Sequence, residues 1–147
     1  MFKHILVPTD GSQISHTAAA NAVALAKAVG AKVTAFHVAP PYRFNLKEDQ
    51  IPHDFILPDD YTERVAQTAK PHLDDVRKLA DAAGVTCYAH YTTDDSPAAA
   101  IATAVKRYGC DAIVMGSHAR TGLKKLLLGS ETQQVLVSVR VPVLVTH

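Results

Sequence analysis

Residues 2–12 read FKHILVPTDGS. The first part of this stretch, residues 2–9, is predicted to be a strand, because consecutive apolar residues are typical of a strand covered on both faces. Asp10-Gly11-Ser12 then predicts a turn that caps a helix. A doubly covered strand followed at once by a helix is the first unit of a parallel α/β sheet.

The rest of the chain repeats this alternation. Gly30 and Gly109 are placed to end helices, and Ser96 with Pro97 is placed to begin one. The order predicts a single α/β domain over residues 1–147, with a five-stranded, mostly parallel sheet and helices on both faces. The predicted strands are 2–9, 32–39, 85–91, 111–116 and 141–147, and the predicted helices are 13–29, 61–83, 97–108 and 130–139.

Composition indicates an ordinary globular domain, with 147 residues, 48% of them hydrophobic and 20% charged. The formal net charge is +1 and no Lys/Arg-rich run occurs, so we expect neither nucleic acid nor a membrane as a partner. No apolar run approaches the ~20 residues of a membrane-spanning helix, and the N-terminus lacks the pattern of a signal peptide, so we expect a soluble, cytoplasmic protein. Cys87 and Cys110 are expected to be free core thiols, because they lack the spacing of a metal site.

The connection at residues 115–130, MGSHARTGLKKLLLGS, is unusual. Gly116 and Gly129 would let backbone approach an anion without a side chain in the way, and Ser130 begins a helix whose positive end favours an anion. Basic residues between the glycines add positive charge. The alternative is a solvated connector in which Ser130 only caps its helix, with Gln133 at the spacing of a capping box.

Ligands bind such sheets at the carboxyl ends of the strands, where the strand order reverses. If the first and fourth strands are the central neighbours, these ends carry Pro8-Thr9-Asp10 and Met115-Gly116-Ser117. Asp10 would contact a ribose or base edge, or would form only an Asx turn with Gly11. His118 could donate to a phosphate, but sequence shows no carboxylate partner for it, and a surface histidine without a role is the expectation.

Three stretches together resemble the universal stress protein family, and the similarity covers the whole chain. They are HILVPTDGS at 4–12, DAIVMGSHARTGLKKLLLGS at 111–130 and VPVLV at 141–145. The resemblance implies a Rossmann-like fold of the adenine nucleotide alpha hydrolase kind and, in many members, a dimer. In one branch of the family it also implies binding of ATP, with or without Mg²⁺.

The resemblance further implies which residues contact the nucleotide. The ATP-binding branch carries three glycines. The first two are separated by two residues, nine residues separate the second from the third, and serine or threonine follows the third. Here Gly116, Ala119 and Gly129-Ser130 occupy those positions, and we expect the alanine to weaken ATP binding without abolishing it. Glu131 would repel a phosphate if its carboxylate pointed inward. The set implied to surround the nucleotide is Pro8, Thr9, Asp10, Val38, Met115, Gly116, Ser117, His118, Ala119, Gly129, Ser130, Glu131 and Thr132.

The residues supply no recognised catalytic machinery. GxSxG, a catalytic cysteine signature and the GKS or GKT of a Walker motif are all absent from the sequence, so we expect binding, with at most weak ATP hydrolysis. No metal is expected, because the histidines lack ligand spacing, and His4 and His37 are expected to be tolerated core or edge residues. Two functions stay open: an ATP-responsive regulatory dimer, and a dimeric stress-response interaction protein that binds no nucleotide.

Two further segments carry expectations about assembly. The apolar strand at 141–147 would leave unpaired backbone groups at a sheet edge, and together with the resemblance it predicts a homodimer through this strand. The insert at 39–60 contains four prolines and no regular period. It is predicted to be a flap over the site or a surface for a partner.

Overall fold

The structure is a computed structural model that describes residues 1–43, 58–118 and 128–147. In these ranges the chain alternates strands and helices. The elements are β1 (His4–Pro8), α1 (Gln13–Val29), β2 (Lys32–Ala39), α2 (Pro58–Ala83), β3 (Cys87–Thr93), α3 (Pro97–Tyr108), β4 (Ala112–Gly116), α4 (Ser130–Ser138) and β5 (Val143–Thr146). Every predicted element is present, and the predicted ends differ by three residues or fewer.

The strands form one five-stranded sheet in the order β3-β2-β1-β4-β5. All four neighbouring pairs are parallel, which confirms the predicted α/β class. β1 and β4 are central neighbours, as the expected position of a ligand site requires, and the strand order reverses between them. β3 and β5 lie at the two edges.

Helices cover both faces of the sheet. On one face, α1 and α2 pack over alternate strand residues such as Ile5, Val7 and Val114. On the other, α3 and α4 pack over the intervening residues, such as Leu6 and Ile113. Because both alternating sets are fully buried, the central strands carry consecutive apolar residues instead of an apolar residue at every second position.

Three helix ends have the capping residues that the sequence predicted, two serines at the starts and one glycine at an end. The Ser12 hydroxyl accepts a hydrogen bond from the Ser15 N–H at 3.2 Å and caps α1. Ser96 caps α3 through the Ala99 N–H in the same way. Gly30 ends α1 with φ 71°, a left-handed conformation that favours glycine.

The predicted cap of α4 is wrong. Gly129, not Ser130, is the N-cap residue, and Ser130 is the first helical residue. No side chain in the described ranges caps this helix. Gln133 makes no capping box, because its side-chain amide donates instead to the Leu128 carbonyl at 2.7 Å.

Two regions named in the sequence analysis fall outside the described ranges in whole or in part. They are Ala119 with the basic residues that follow it, and most of the insert at 39–60. In the ranges that are described, every helix is too short or too polar to cross a lipid bilayer.

Candidate functional site

A cavity of about 730 Å³ opens at the carboxyl ends of the central strands. Its walls come from the ends of β1, β2 and β4, the first turns of α3 and α4, and Ser15 of α1. The lining residues are Pro8, Thr9, Asp10, Ser15, Phe36, Val38, Pro97, Ile101, Met115, Gly116, His118, Leu128, Gly129, Ser130, Glu131, Thr132 and Gln133.

The structure brings together all but two of the thirteen residues predicted from sequence to surround a nucleotide. Ser117 does not line the cavity, since its side chain is buried beneath it. Ala119 lies outside the described residues. The remaining eleven meet around one space although they come from three separate parts of the chain.

Sequence reasoning missed the apolar wall of the cavity. Phe36 lies two positions before the predicted Val38 and therefore points to the same face of β2. Pro97 and Ile101 are spaced i, i+4 and so share one side of α3. Side-chain alternation along a strand would have found Phe36, and i, i+4 spacing along a helix would have found Pro97 and Ile101, once the strand order was known.

Asp10 closes the turn between β1 and α1. Its Oδ1 accepts the Ser12 N–H at 2.9 Å, which confirms the predicted Asx turn. Its Oδ2 lies 3.0 Å from Nε2 of His118. Burial raises the pKa of Asp10, but hydrogen bonds from Ser12 and His118 outweigh it and hold that pKa well below its usual value. The carboxylate is therefore charged at neutral pH, and its contact to a ribose or base edge stays a prediction.

His118 has the carboxylate partner that the sequence did not reveal. Besides Asp10, its Nε2 lies 3.4 Å from the Ser12 hydroxyl. The partner was not evident from sequence because sheet pairing places the β4 end beside the β1 end, 108 residues apart in sequence; that His118 has no functional role stays a prediction. The pair sits at the rim of the cavity, with both side chains more than half exposed.

Gly116 and Gly129 both lie where the backbone is closely packed against another segment. A Cβ on Gly116 would fall 2.4 Å from Cγ2 of Ile14, so this glycine admits α1 against β4. A Cβ on Gly129 would fall 2.9 Å from the His118 carbonyl oxygen. At both glycines the side on which a Cβ would lie is therefore occupied by the protein itself, and their close approach to an anion stays a prediction.

Ser117 joins the two ends of the connection that follows β4. Its hydroxyl accepts the Gly129 N–H at 3.0 Å, and its own N–H donates to the Thr146 carbonyl at 2.9 Å. The side chain is 1% exposed. Ser117 thus positions the start of α4 relative to the sheet instead of contacting the cavity.

The first turn of α4 faces the cavity with its backbone donors. The first N–H groups of any helix lack intrahelical partners, and no described side chain caps those of α4. Ser130, Glu131 and Thr132 all line the cavity. This helix end can therefore donate hydrogen bonds to an anion, and the helix dipole adds to the attraction.

A buried histidine supports the turn from the opposite side. His37 Nδ1 donates to the Thr9 carbonyl at 2.9 Å, and the His72 ring lies 5.2 Å from the His37 ring. Gly11 has φ 78°, and a Cβ there would fall 2.1 Å from Nδ1 of His72. His4 also has a buried partner, the Thr34 hydroxyl at 2.7 Å. Both predicted core histidines are confirmed as buried and hydrogen-bonded.

The cysteines are free thiols, as predicted. Burial raises the pKa of Cys110 to about 11, and it also raises the pKa of Cys87. Both thiols are therefore protonated and weakly nucleophilic at neutral pH. Among the described residues, no group of three or more acidic, histidine or cysteine side chains could hold a metal ion.

The universal stress protein family model matches residues 1–147, the full length given. The chain belongs to the universal stress protein family. It is 32% identical to universal stress protein MJ0531 of Methanocaldococcus jannaschii, over 99% of this chain and 82% of that protein. It is 31% identical to universal stress protein YxiE of Bacillus subtilis, over 100% of both chains.

Solved structures share the fold. MJ0577, also from Methanocaldococcus jannaschii, superposes with a TM-score of 0.77 at 28% identity, covering 99% of this chain and 96% of that one. A universal stress protein solved in complex with cAMP gives 0.72 at 24% identity, covering 99% and 97%. The Archaeoglobus fulgidus protein solved with dAMP gives 0.64 at 21%, covering 97% and 96%.

Proposed function

We propose that this universal stress protein is a cytoplasmic regulatory module that binds an adenine nucleotide, such as ATP, in the cavity at the ends of β1 and β4. The observation that carries the proposal is the uncapped start of α4, which lines the same cavity as a set of apolar residues. The first suits a phosphate and the second suits a base.

The cavity has the size and composition that a nucleotide needs. Its volume of about 730 Å³ lies within the range of small-molecule sites. Phe36 and Met115 are buried apolar residues of its wall, and the Asp10 carboxylate lies at its rim as an acceptor for ribose hydroxyls. Apolar surface for the ring and few, well-placed polar groups are the usual features of cofactor sites.

Family members support the choice of an adenine nucleotide. Related proteins of the same fold have been solved with cAMP and with dAMP. In this chain the predicted nucleotide contacts converge on one cavity, and the signature position Gly129-Ser130 begins the helix that faces it. The ligand is therefore proposed by family and by geometry together.

Dimer formation through β5 is the second part of the proposal. β5 is an edge strand, and Leu144 on it is 48% exposed. Val137, near the end of α4, is 85% exposed. An exposed apolar side chain on an unpaired edge strand, such as Leu144, favours pairing with a second copy.

One feature favours the alternative, an interaction protein that binds no nucleotide. Glu131 lies in the first turn of α4 and lines the cavity. Its negative charge occupies the helix end that would otherwise attract a phosphate, and it therefore weakens an anion site.

Calorimetric titration decides between the two functions. We expect ATP, AMP or cAMP to bind the wild-type protein, and the absorbance spectrum of freshly purified protein to show any nucleotide that copurifies. No heat with any of the three at millimolar concentration would leave the interaction protein as the function. Tight binding of AMP without ATP would keep the site and show that it excludes the phosphates beyond the first.

A further inference from the structure

β3 is an edge strand without the usual protection. It has seven residues, CYAHYTT, with no lysine, acidic residue, proline or glycine. Edge strands normally carry such residues, because unpaired backbone groups otherwise attract a further strand. β3 is paired with β2 along its whole length, so its other side is straight and continuous.

The backbone groups on that outer side can be assigned from the hydrogen bonds to β2. Val33 N–H donates to Thr86 O at 2.9 Å, and Asp94 N–H donates to Ala39 O at 3.0 Å. With the observed register, the even-numbered residues of β3 point their backbone groups toward β2. The groups of Cys87, Ala89, Tyr91 and Thr93 therefore point outward, where no described part of the chain pairs with them.

The side chains beside this edge form a basic aromatic surface, which we define as Lys32, Tyr88, His90, Arg107 and Tyr108. α2 covers one face of β3, and on the opposite face Tyr88 stays 46% exposed. Lys32 Nζ lies 5.3 Å from the Tyr88 ring centroid, and the Arg107 guanidinium lies 5.8 Å from that of Tyr108. The surface therefore presents cations held over aromatic rings.

Nucleic acid does not fit this surface well. The His90 and Tyr108 rings stack on each other at 4.3 Å and 8°. Arg107 also lies over the Tyr108 ring, and Lys32 lies over the Tyr88 ring. Few ring faces are left on which bases could stack. The net charge of +1 gives no general attraction to a polyanion.

A second copy of the chain fits less well than a different partner. Two β3 strands related by a twofold axis would bring both sets of cations to the same face. Like charges facing each other disfavour that pairing. An acidic segment would instead be attracted by Lys32 and Arg107, and its backbone would complete the hydrogen bonds of β3.

We propose that the outer edge of β3 binds an extended, acidic segment of a partner protein by strand addition. The outward groups of β3 supply the backbone hydrogen bonds, and the basic aromatic surface selects acidic side chains at alternate positions. This inference does not depend on the proposed nucleotide site. The cations lie at the amino-terminal end of β2 and the carboxyl-terminal end of α3, away from the cavity.

A synthetic peptide tests the proposal in the full-length protein. The probe is a fluorescently labelled peptide of alternating glutamate and valine, about eight residues long to match an ordinary strand. Its control alternates lysine and valine. We expect the acidic peptide to raise fluorescence anisotropy and to protect the amides of residues 87–93 from hydrogen exchange, with salt weakening both effects. We expect no binding of the basic peptide.

Two kinds of variant separate the contribution of the backbone hydrogen bonds to peptide binding from that of the positive charges. Ala89→Pro removes an outward N–H and leaves the bonds to β2 in place, a position that proline tolerates. It should weaken binding by about tenfold or more. Lys32→Glu with Arg107→Glu lies off the edge strand and should weaken binding to a similar extent. Nucleotide titration and thermal melting of each variant show that the site and the fold are intact.

Several results would overturn the proposal. One is an acidic peptide that fails to bind, or that binds wild type and the charge-reversed double variant equally well. Another is an oligothymidine that binds better than the peptide, which would make the surface a nucleic-acid site. A third is sedimentation showing that wild type self-associates and that Ala89→Pro does not, which would assign the edge to a second copy.

Discussion

Gly116 shows how a signature residue can act through packing. Its missing side chain leaves room for Ile14, so α1 approaches the end of β4 closely enough to bring Asp10 and His118 together. The glycine therefore shapes the site through packing as well as lining the cavity. Gly129 likewise leaves room for the His118 carbonyl oxygen, which a Cβ at this position would approach too closely.

We predict that Gly116→Ala lowers the free energy of unfolding by about 1–3 kcal/mol, because the added Cβ overlaps Ile14. Denaturant unfolding measures this. Adding Ile14→Ala should recover only part of the loss, since the Ile14 backbone is also only 3.0 Å from the new Cβ. A Gly116→Ala protein as stable as wild type would contradict the packing role.

Glu131 acts on stability and on binding in opposite directions. A negative charge in the first turn of α4 stabilises the helix by interacting with its dipole. The same charge repels a phosphate at the proposed site. We predict that Glu131→Gln lowers the free energy of unfolding by about 0.3–1 kcal/mol and tightens ATP binding by about fivefold.

Glu63→Gln on α2 is the matched control, because that residue is exposed and does not line the cavity. Calorimetry and denaturant unfolding of the two variants are compared. ATP affinity that is the same for wild type and Glu131→Gln would show that the carboxylate points away from the phosphate.

At the scale of elements, the start of α4 is held by a residue of β4's end. Ser117 accepts the Gly129 N–H from below the cavity and, through its own N–H, is tied to β5. Three elements thus meet at this one buried residue. The orientation of the helix toward the cavity depends on this contact more than on any cap.

We predict that Ser117→Ala lowers the free energy of unfolding by about 1–2 kcal/mol, because the Gly129 N–H loses its acceptor. Ser130→Ala is the matched control. It should change stability by less than about 0.5 kcal/mol, since Ser130 is exposed and makes no cap. Equal losses from the two variants would restore Ser130 as the residue that fixes the helix start.

At the scale of the whole molecule, the two sheet edges differ. β5 carries the exposed Leu144, whereas β3 lies beside cations and aromatic rings. An apolar edge suits a second copy of the chain, and a basic edge suits a different partner. The two proposed contacts would therefore leave the cavity between them free.

We predict that Leu144→Lys converts the proposed dimer to monomer, because a lysine at an edge opposes strand pairing. Truncation after Arg140 should have the same effect if the shortened chain folds. Light scattering measures the mass, and Tyr91→Lys on β3, where Tyr91 is similarly exposed, is the control. A folded protein that stays dimeric after either change to β5 would contradict this interface.

The sequence by itself determined the order and type of the elements. Serine caps, proline at the start of α3, terminal glycines and continuous apolar runs are local signals, because each acts through backbone geometry within a few residues. The same patterns predicted the parallel sheet. The family motifs then supplied eleven residues that do line one cavity.

Tertiary structure alone decided how those residues act. The partner of His118 is 108 residues away in sequence, and Phe36 and Ile101 join the cavity only because α3 packs beside β2. The volume that each glycine leaves free is likewise set by a distant element, Ile14 or the His118 carbonyl. Such contacts join segments far apart in the chain, and a local pattern carries no information about which atoms will meet there.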